Sequence, residues 1–400
     1  MNKLKYILSA SGKFWYFETA RILFQRNQLV KIITGRPSIT LRKEKIPNKL
    51  IISGGFFNIL KYPFQSIQSM NSYLQLMSIY NKKNIDRLVC NFLEKNNEAD
   101  VLLGLSGVSL NSGRKILDKK KIFVCERASS HIVYQDNLLA DEYKIHNKKY
   151  NRIHNWIIEN EQKEYEMADI ILVPSNFVKK TFDKKNINKV NVLNFNVNTQ
   201  NFFKDTNIKK SQKYFDILFV GGITLRKGLH YLIDAFNKFK HPNKRLNIVG
   251  DHSFDKDFFE KKFNNEKIVY HGHIDHFKLN ELYNKAHVFV LPSIEEGFAT
   301  VILQAAAAGC PVIVSENTGA SEFVENNKIG YSVPIRDPII IKNKLEILSE
   351  NNNLLDEFSH NATKTMKEKT WSNYVDQLDK LIFNFKKINH KLFKYFIKHD

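Results

Sequence analysis

The sequence predicts an α/β protein made of two doubly wound, Rossmann-like domains facing a cleft, with a helical tail behind them. Three observations carry this. Short apolar strands alternate with helical segments through the first half of the chain. The alternation restarts at Phe215, after a polar stretch from Asn194 to Tyr214 rich in Asn, Thr, Lys and Ser. Beyond Trp371 it stops, and Phe, Leu and Ile are interleaved with Lys instead. Strands and helices alternating twice over imply two parallel sheets, each covered by helices on both faces.

Lys5 to Ser9 reads as the first strand. Phe17 to Asn27 follows with helical spacing, placing Phe17, Ala20, Leu23 and Phe24 on one face. Leu29 to Thr34 is the next strand, and two strands joined by a helix form a parallel βαβ unit. Asp100 to Leu105, a helix near Ser112 to Asp118 and Lys121 to Cys125 repeat the unit. Ala168 to Pro174 and Lys189 to Leu193 add two strands. The second series runs through strands at Phe215 to Val220, Leu246 to Gly250, Ile268 to His271, His287 to Leu291 and Pro311 to Val314. Helices are predicted within it at Gly228 to Lys240 and at about Ala299 to Ala308. These readings divide the chain into residues 1–198, 199–370 and a tail, 371–400. In the tail, Leu381, Ile382, Phe385, Ile388, Leu392, Phe393, Phe396 and Ile397 mark a basic amphipathic helix. Its stripe has two readings, packing on the body of the protein or lying on a membrane surface.

Composition narrows the class. The chain is 43% hydrophobic and 26% charged, as folded soluble proteins are, which excludes a disordered or fibrous polypeptide. Its three cysteines, Cys90, Cys125 and Cys310, lie in apolar surroundings without CxxC or Cys/His zinc spacing. They read as buried free thiols of a reducing compartment. No apolar run reaches the ~18 residues of a membrane span. The longest candidate, Val301 to Ser315, contains Gln304, Gly309 and Pro311. The apolar stretch Tyr6 to Ala10 is too short for a signal-peptide core, so a cytoplasmic location is expected, with a peripheral position on the inner face of the membrane left open by the tail. The net charge of +20 attracts anions such as phosphorylated substrates, anionic lipid or nucleic acid. A bias toward Lys, Asn and Ile accounts for part of it.

Ligands of open α/β sheets bind beyond the carboxyl ends of the strands, so a cleft between two such sheets is the place to look. After Val220 come Gly221, Gly222 and then Arg226-Lys227-Gly228 at the start of a helix. Two cations beside a helix N-terminus suit a diphosphate, although a solvated basic turn has the same sequence. After Leu291 come Glu295, Glu296 and Gly297, with Phe298 and Ala299 opening the next helix. Free amides at Phe298 and Ala299 can bind phosphate oxygens, whereas the Glu296 carboxylate suits sugar hydroxyls, which donate to it. Gln304, further along that helix, can also bond hydroxyls. The small residues between Gln304 and Gly309 require close helix–sheet packing. The one Asp-x-Asp pair, Asp255 and Asp257, reads as a solvated helix start rather than a metal site.

With these residues in hand, the segments FVGGITLRKGLHYLIDAF, YHGHIDHFKLNELYNKAHVFVLPS and EEGFATVILQAAAAGCPVIVSENTGASEFV resemble, in sequence and in order, the donor-binding half of glycosyltransferase family 4, of GT-B fold. The resemblance is strongest over about residues 160–335 and extends to CERASSHIVYQ and EYEMADIILVPSNFV, in the manner of a bacterial surface-polysaccharide subgroup. It implies a retaining hexosyltransferase-type enzyme that uses a nucleotide diphosphate sugar and needs no metal or other cofactor. The acceptor, a glycan or lipid-linked glycan, would sit on the first domain and the donor on the second. The family's phosphate-binding Lys falls on Lys227. The position of its paired Arg holds Gly222, with Arg226 the substitute. The family's two glutamates fall on Glu296, toward the donor sugar, and Gln304, toward the ribose. His273 and Ile274 match the loop that brackets the nucleobase. On the acceptor side the resemblance points to His131, with Arg127, Gly12 and Lys13 facing the cleft.

Other classes fit less well. A nicotinamide enzyme requires GxGxxG after the first strand, and Ser9-Ala-Ser-Gly12 lacks it. No zinc-finger or RNA-binding signature supports a specific nucleic-acid partner. A sugar phosphorylase or sugar-phosphate synthase of the same fold differs only in its acceptor, and a non-catalytic basic protein bound to nucleic acid or membrane is the reading from outside enzymology.

Overall fold

The computed structural model describes residues 3–55, 71–251, 256–260 and 262–397. Seven parallel strands form the first sheet: β1 (Tyr6–Ala10), β2 (Leu29–Thr34), β3 (Ile51–Ser53), β4 (Val101–Leu105), β5 (Ile122–Glu126), β6 (Ile170–Val173) and β7 (Val190–Val192). Their order is β3-β2-β1-β4-β5-β6-β7. Six parallel strands form the second: β8 (Phe215–Val220), β9 (Lys244–Val249), β10 (Ile268–Tyr270), β11 (Val288–Leu291), β12 (Val312–Ser315) and β13 (Gly330–Val333), in the order β10-β9-β8-β11-β12-β13. Central strands such as β1, β4, β5 and β8 are buried along their whole length, because helices cover both faces. That is why they read in sequence as continuous apolar runs rather than as alternation.

The helices that position the cleft are α1 (Tyr16–Gln25), α2 (Asn71–Lys95), α3 (Leu110–Asp118), α4 (Ile132–Ile145) and α5 (Asn155–Met167) in the first domain. In the second they are α6 (Leu229–Lys238), α7 (Lys256–Glu260) and α8 (Thr300–Ala307). Helix α7 covers part of the Asp-x-Asp stretch, of which Asp255 lies outside the described residues. Each sheet turns its carboxyl edge toward the other.

The tail forms one helix, α9 (Trp371–Ile397), which returns to the first domain and packs on α1. Trp371, Tyr374, Val375, Leu378 and Ile382 are its buried stripe. Asp379 accepts hydrogen bonds from Tyr6 Oη at 2.5 Å and Gln28 Nε2 at 2.9 Å, and Asp376 pairs with Arg26 at 2.7 Å. Further along, Leu381 and Phe385 are half-buried and Ile388 is exposed. Leu392, Phe393, Phe396 and Ile397 have side chains outside the described ones. The two passages between domains meet where Val197 N–H donates to the Lys369 carbonyl at 3.3 Å. Among the described residues no helix is long and apolar enough to cross a membrane.

The cysteines divide. Cys125 and Cys310 are buried in strands or beside them, whereas Cys90, expected to be buried, is half-exposed on α2. The helix carries it at the edge of a groove instead of in the core.

Candidate active site

The turn after β8 and the loop after β11 meet at the carboxyl edge of the second sheet. Residues Leu225–Lys227 form a single tight turn ended by Gly228 at φ +67°, and a Cβ at Gly228 would run into the Pro292 carbonyl. The turn is therefore seated directly on the second loop, and Ile294 N–H donates to the Arg226 carbonyl at 2.8 Å. Both cations then reach the paired acids. Arg226 Nε lies 2.9 Å from Glu295 Oε2 and Arg226 Nη2 3.5 Å from Glu296 Oε1, while Lys227 Nζ pairs with Glu296 Oε2. Arg226, Lys227, Glu296 and Gly297 are thus brought together in the cleft. The amides of Phe298 and Ala299, both buried, stand at the entry to α8.

Burial opposes ionisation of both acids, and the cations overcome it. In Glu295, Arg226 and the hydrogen bonds from Ser130 and Gln135 outweigh burial and hold the carboxyl at about 2. In Glu296, Lys227 first and then Arg226 outweigh burial, and its pKa is lowered. Both are carboxylates at neutral pH, and the Arg226 pKa is raised in return, Glu296 and Glu295 outweighing burial.

Glu295 also joins the two domains. Ser130 donates through its N–H and its hydroxyl to Glu295 Oε1, both at 2.8 Å, and Gln135 Nε2 donates to Oε2 at 2.8 Å. Ser175 Oγ donates to the Gly297 carbonyl at 2.8 Å. A Cβ at Gly297 would overlap the Ala128 carbonyl, so glycine is what lets the two backbones touch.

The other predicted residues fall as follows. Gly221 N–H continues the ladder to the Val249 carbonyl, and Gly222 is exposed with open space where a Cβ would stand. Gln304 is buried and accepts from Tyr283 Oη at 3.1 Å. His273 is exposed and Ile274 half-buried on the loop after β10. Lys13 pairs with Glu44 at 2.6 Å, and it adds, after burial, to the lowering of the pKa of His276 in the opposite domain. The Thr34 hydroxyl donates to the Gly12 carbonyl at 3.0 Å. His131 is the N-cap of α4: its Nδ1 accepts from Val133 N–H at 3.3 Å, and its ring lies against Tyr165 and Phe182. Burial and then the Arg127 charge lower its pKa, so at neutral pH the ring is uncharged. Arg127, expected to face the acceptor, is buried with its guanidinium spent on the Ser130 carbonyl, Glu161 and Gln135. It braces the loop that carries Ser130 and His131.

Residues that sequence reasoning passed over include Glu295, Ser130, Gln135 and Ser175. The doubled acid at the end of an apolar strand was a signal for Glu295; nothing local marked its partners. Glu126 was also missed. It is buried under the first loop, where Trp15 Nε1 and Tyr374 Oη donate to Oε1 at 3.0 and 2.8 Å. Trp15 in turn lies against Phe195, and Phe195 against Phe298.

A second cluster spans the domains away from these loops. Glu142, His146 and His230 place one ligand atom each within 4.8 Å of one another, a spacing that could hold a metal ion. Glu142 Oε2 is taken by Arg336 Nε at 2.6 Å, and Oε1 lies 3.0 Å from His230 Nε2. A guanidinium on the carboxylate disfavours a cation beside it, and the cluster works as a strap from α4 to the second domain.

Residues 199–365, which hold the second sheet and its loops, match the family "Glycosyl transferases group 1". The capsular polysaccharide biosynthesis glycosyltransferase CapM of Staphylococcus aureus is 30% identical over 199 residues, 46% of this chain and 52% of that protein. The chain spans about half the length of the curated relatives it matches. Among solved structures, the sucrose-phosphate synthase of Thermosynechococcus elongatus superposes with a TM-score of 0.72 at 15% identity, covering 96% of this chain and 100% of that one. Anabaena HepE, solved in complex with UDP, gives 0.68 at 14%, covering 95% and 100%. The architecture is GT-B, two Rossmann-like domains with a C-terminal helix.

Proposed function

We propose that the chain is a retaining glycosyltransferase of family 4 that moves a hexose from a nucleotide diphosphate sugar to a glycan or lipid-linked acceptor, in the assembly of a cell-surface polysaccharide. One observation carries the reading: Arg226 and Lys227 converge on Glu296 in the cleft, beside the N-terminus of α8. The group 1 match and the likeness to CapM support it, as does the fold shared with a UDP-bound protein.

On this reading the diphosphate takes the place beside Lys227 and Arg226, and Glu296 accepts hydrogen bonds from hydroxyls of the transferred sugar. Gln304 lies toward the ribose, and His273 and Ile274 toward the base. When the bond between anomeric carbon and phosphate oxygen breaks, the electron pair leaves on the diphosphate. The new bond forms from an acceptor oxygen on the same face of the sugar, and the hydroxyl proton passes to the departing phosphate. The side-chain cations and the α8 amides carry the added negative charge, the role a metal plays in other transferases. Removing one such preorganised donor costs about 10²–10³ in rate. Lys227→Ala should therefore lose donor turnover by about that factor in a panel of UDP-, GDP- and ADP-sugars. Unaltered turnover refutes the leaving-group role.

We also propose a peripheral membrane position, through the tail. Ile388 is exposed, and Lys386 and Lys387 precede it on the helix. Deleting residues 383–400 should reduce cosedimentation with anionic vesicles, and equal partitioning would exclude a membrane role for the tail.

A further inference from the structure

A cavity of about 440 Å³ opens on the first domain, between α2, the start of α3 and α5. Its wall includes Lys82, Lys83, Arg87, Gly107, Asn111 and Trp156. The volume is that of a small-ligand site. Gly107 follows β4, so the cavity lies at the carboxyl edge of the first sheet, the edge that faces the cleft. Gly107 has φ +87°, and a Cβ there would overlap Lys82 Nζ; the glycine leaves that ammonium its room.

The charge of the wall is positive and loosely compensated. Lys82 Nζ is 3.7 Å from Glu161, whose carboxylate is already paired with Arg127 at 2.8 Å. Among the described residues no carboxylate lies within ion-pairing distance of Lys83 or Arg87; Lys83 rests over the Trp156 ring at 5.0 Å, and Arg87 donates to Asn84. The one acid of the wall, Asp86, accepts four hydrogen bonds, from the backbone and side chains of Asn111 and Ser112. Trp156 and Leu110 add apolar surface, and Asn111 and Asn160 add amides. Cations, an aromatic ring and amides together suit a polar ring that carries an oxyanion. The cavity is also wired to the other domain: Lys82, Glu161, Arg127, Gln135, Glu295 and Arg226 follow one another in polar contact.

We propose that this cavity binds an anionic saccharide, a sugar ring bearing a phosphate or a carboxylate, as part of the acceptor. The word acceptor rests on the transferase reading; the binding site does not. The test is titration calorimetry of the full chain at low salt with glucose 6-phosphate, glucuronate, glucose and inorganic phosphate, and separately with UDP, GDP and ADP. The two exposed cations are removed together in Lys83→Ala/Arg87→Ala, and the donor-side cation in Lys227→Ala. At least one charged sugar should bind, more tightly than glucose and than phosphate alone, and the double variant should weaken it by about tenfold or more. Comparing the first two probes tells phosphate from carboxylate. The nucleotide that binds should be unaffected by the double variant and weakened by Lys227→Ala. Glucose or free phosphate binding as well as the charged sugars overturns the proposal, as does loss of the charged sugars in Lys227→Ala instead of the double variant. If UDP, GDP and ADP all fail to bind while the charged sugars still depend on Lys83 and Arg87, the transferase reading falls and the site stands.

Discussion

Glu295 takes hydrogen bonds from the first domain and an ion pair within the second, and Glu295→Gln isolates its charge. The variant keeps the side-chain shape but gives Arg226, Ser130 and Gln135 a neutral partner. Holding a fully buried carboxyl at about 2 instead of the ordinary 4.5 is worth roughly 3 kcal/mol of folding stability. The folded pKa is the depressed one. That stability is therefore complete above about pH 5 and is lost as pH falls toward 2. Glu295→Gln should be less stable than the parent by roughly 3 kcal/mol at pH 7, by about half as much at pH 3, and by little below pH 2. Denaturant unfolding at several pH values measures this. Circular dichroism reports both domains, and fluorescence reports the first domain and tail, where all three tryptophans lie. A gap that stays constant between pH 7 and pH 3, or no gap at pH 7, would refute the assignment of a buried, Arg226-paired carboxylate.

Two further outcomes follow from the same geometry. Gly297→Ala puts a methyl group into the Ala128 carbonyl, and neither backbone can yield cheaply; a loss of upwards of ~3 kcal/mol is expected, with donor affinity falling too, and a parental melting temperature would contradict the close approach. Burial raises Glu126 to about 7 against the hydrogen bonds from Tyr374 and Trp15, so the folded state binds its proton more tightly than the unfolded chain and the parent loses stability as pH rises from about 4.5 through 7. Glu126→Gln should gain roughly 2–3 kcal/mol relative to the parent between pH 5 and pH 8, and a pH-independent difference would show that Glu126 does not titrate there.

The strands were legible because burial on both faces leaves continuous apolar runs, and Leu29–Thr34 and Phe215–Val220 fall where the residues place them. Ile51–Ser53 and Gly330–Val333 were not, being short and half-exposed. Helices α4 and α5 escaped for a different reason. They bury Asp136, Glu142, Asn160, Glu161 and Glu164 alongside Ile132, Leu139, Ile157 and Tyr165, so their inner faces mix polar with apolar residues and show no continuous apolar stripe. The same polarity hid half of the candidate site. Lys227 and Glu296 could be placed together from their loops, each at the end of a strand in one sheet. That Ser130 and Gln135 grip Glu295, or that Arg127 is consumed by Glu161, depends on how one domain sits against the other, and no local pattern encodes it.

The paired contact of Val197 with Lys369 has a mechanical consequence. A protein whose lobes were joined by one peptide passage could swivel about it in any direction. Here two passages lie side by side, so relative motion is restrained to bending across them, like a door on two pins. A single proteolytic nick in either passage would leave the lobes tethered, and only a double cut would part them.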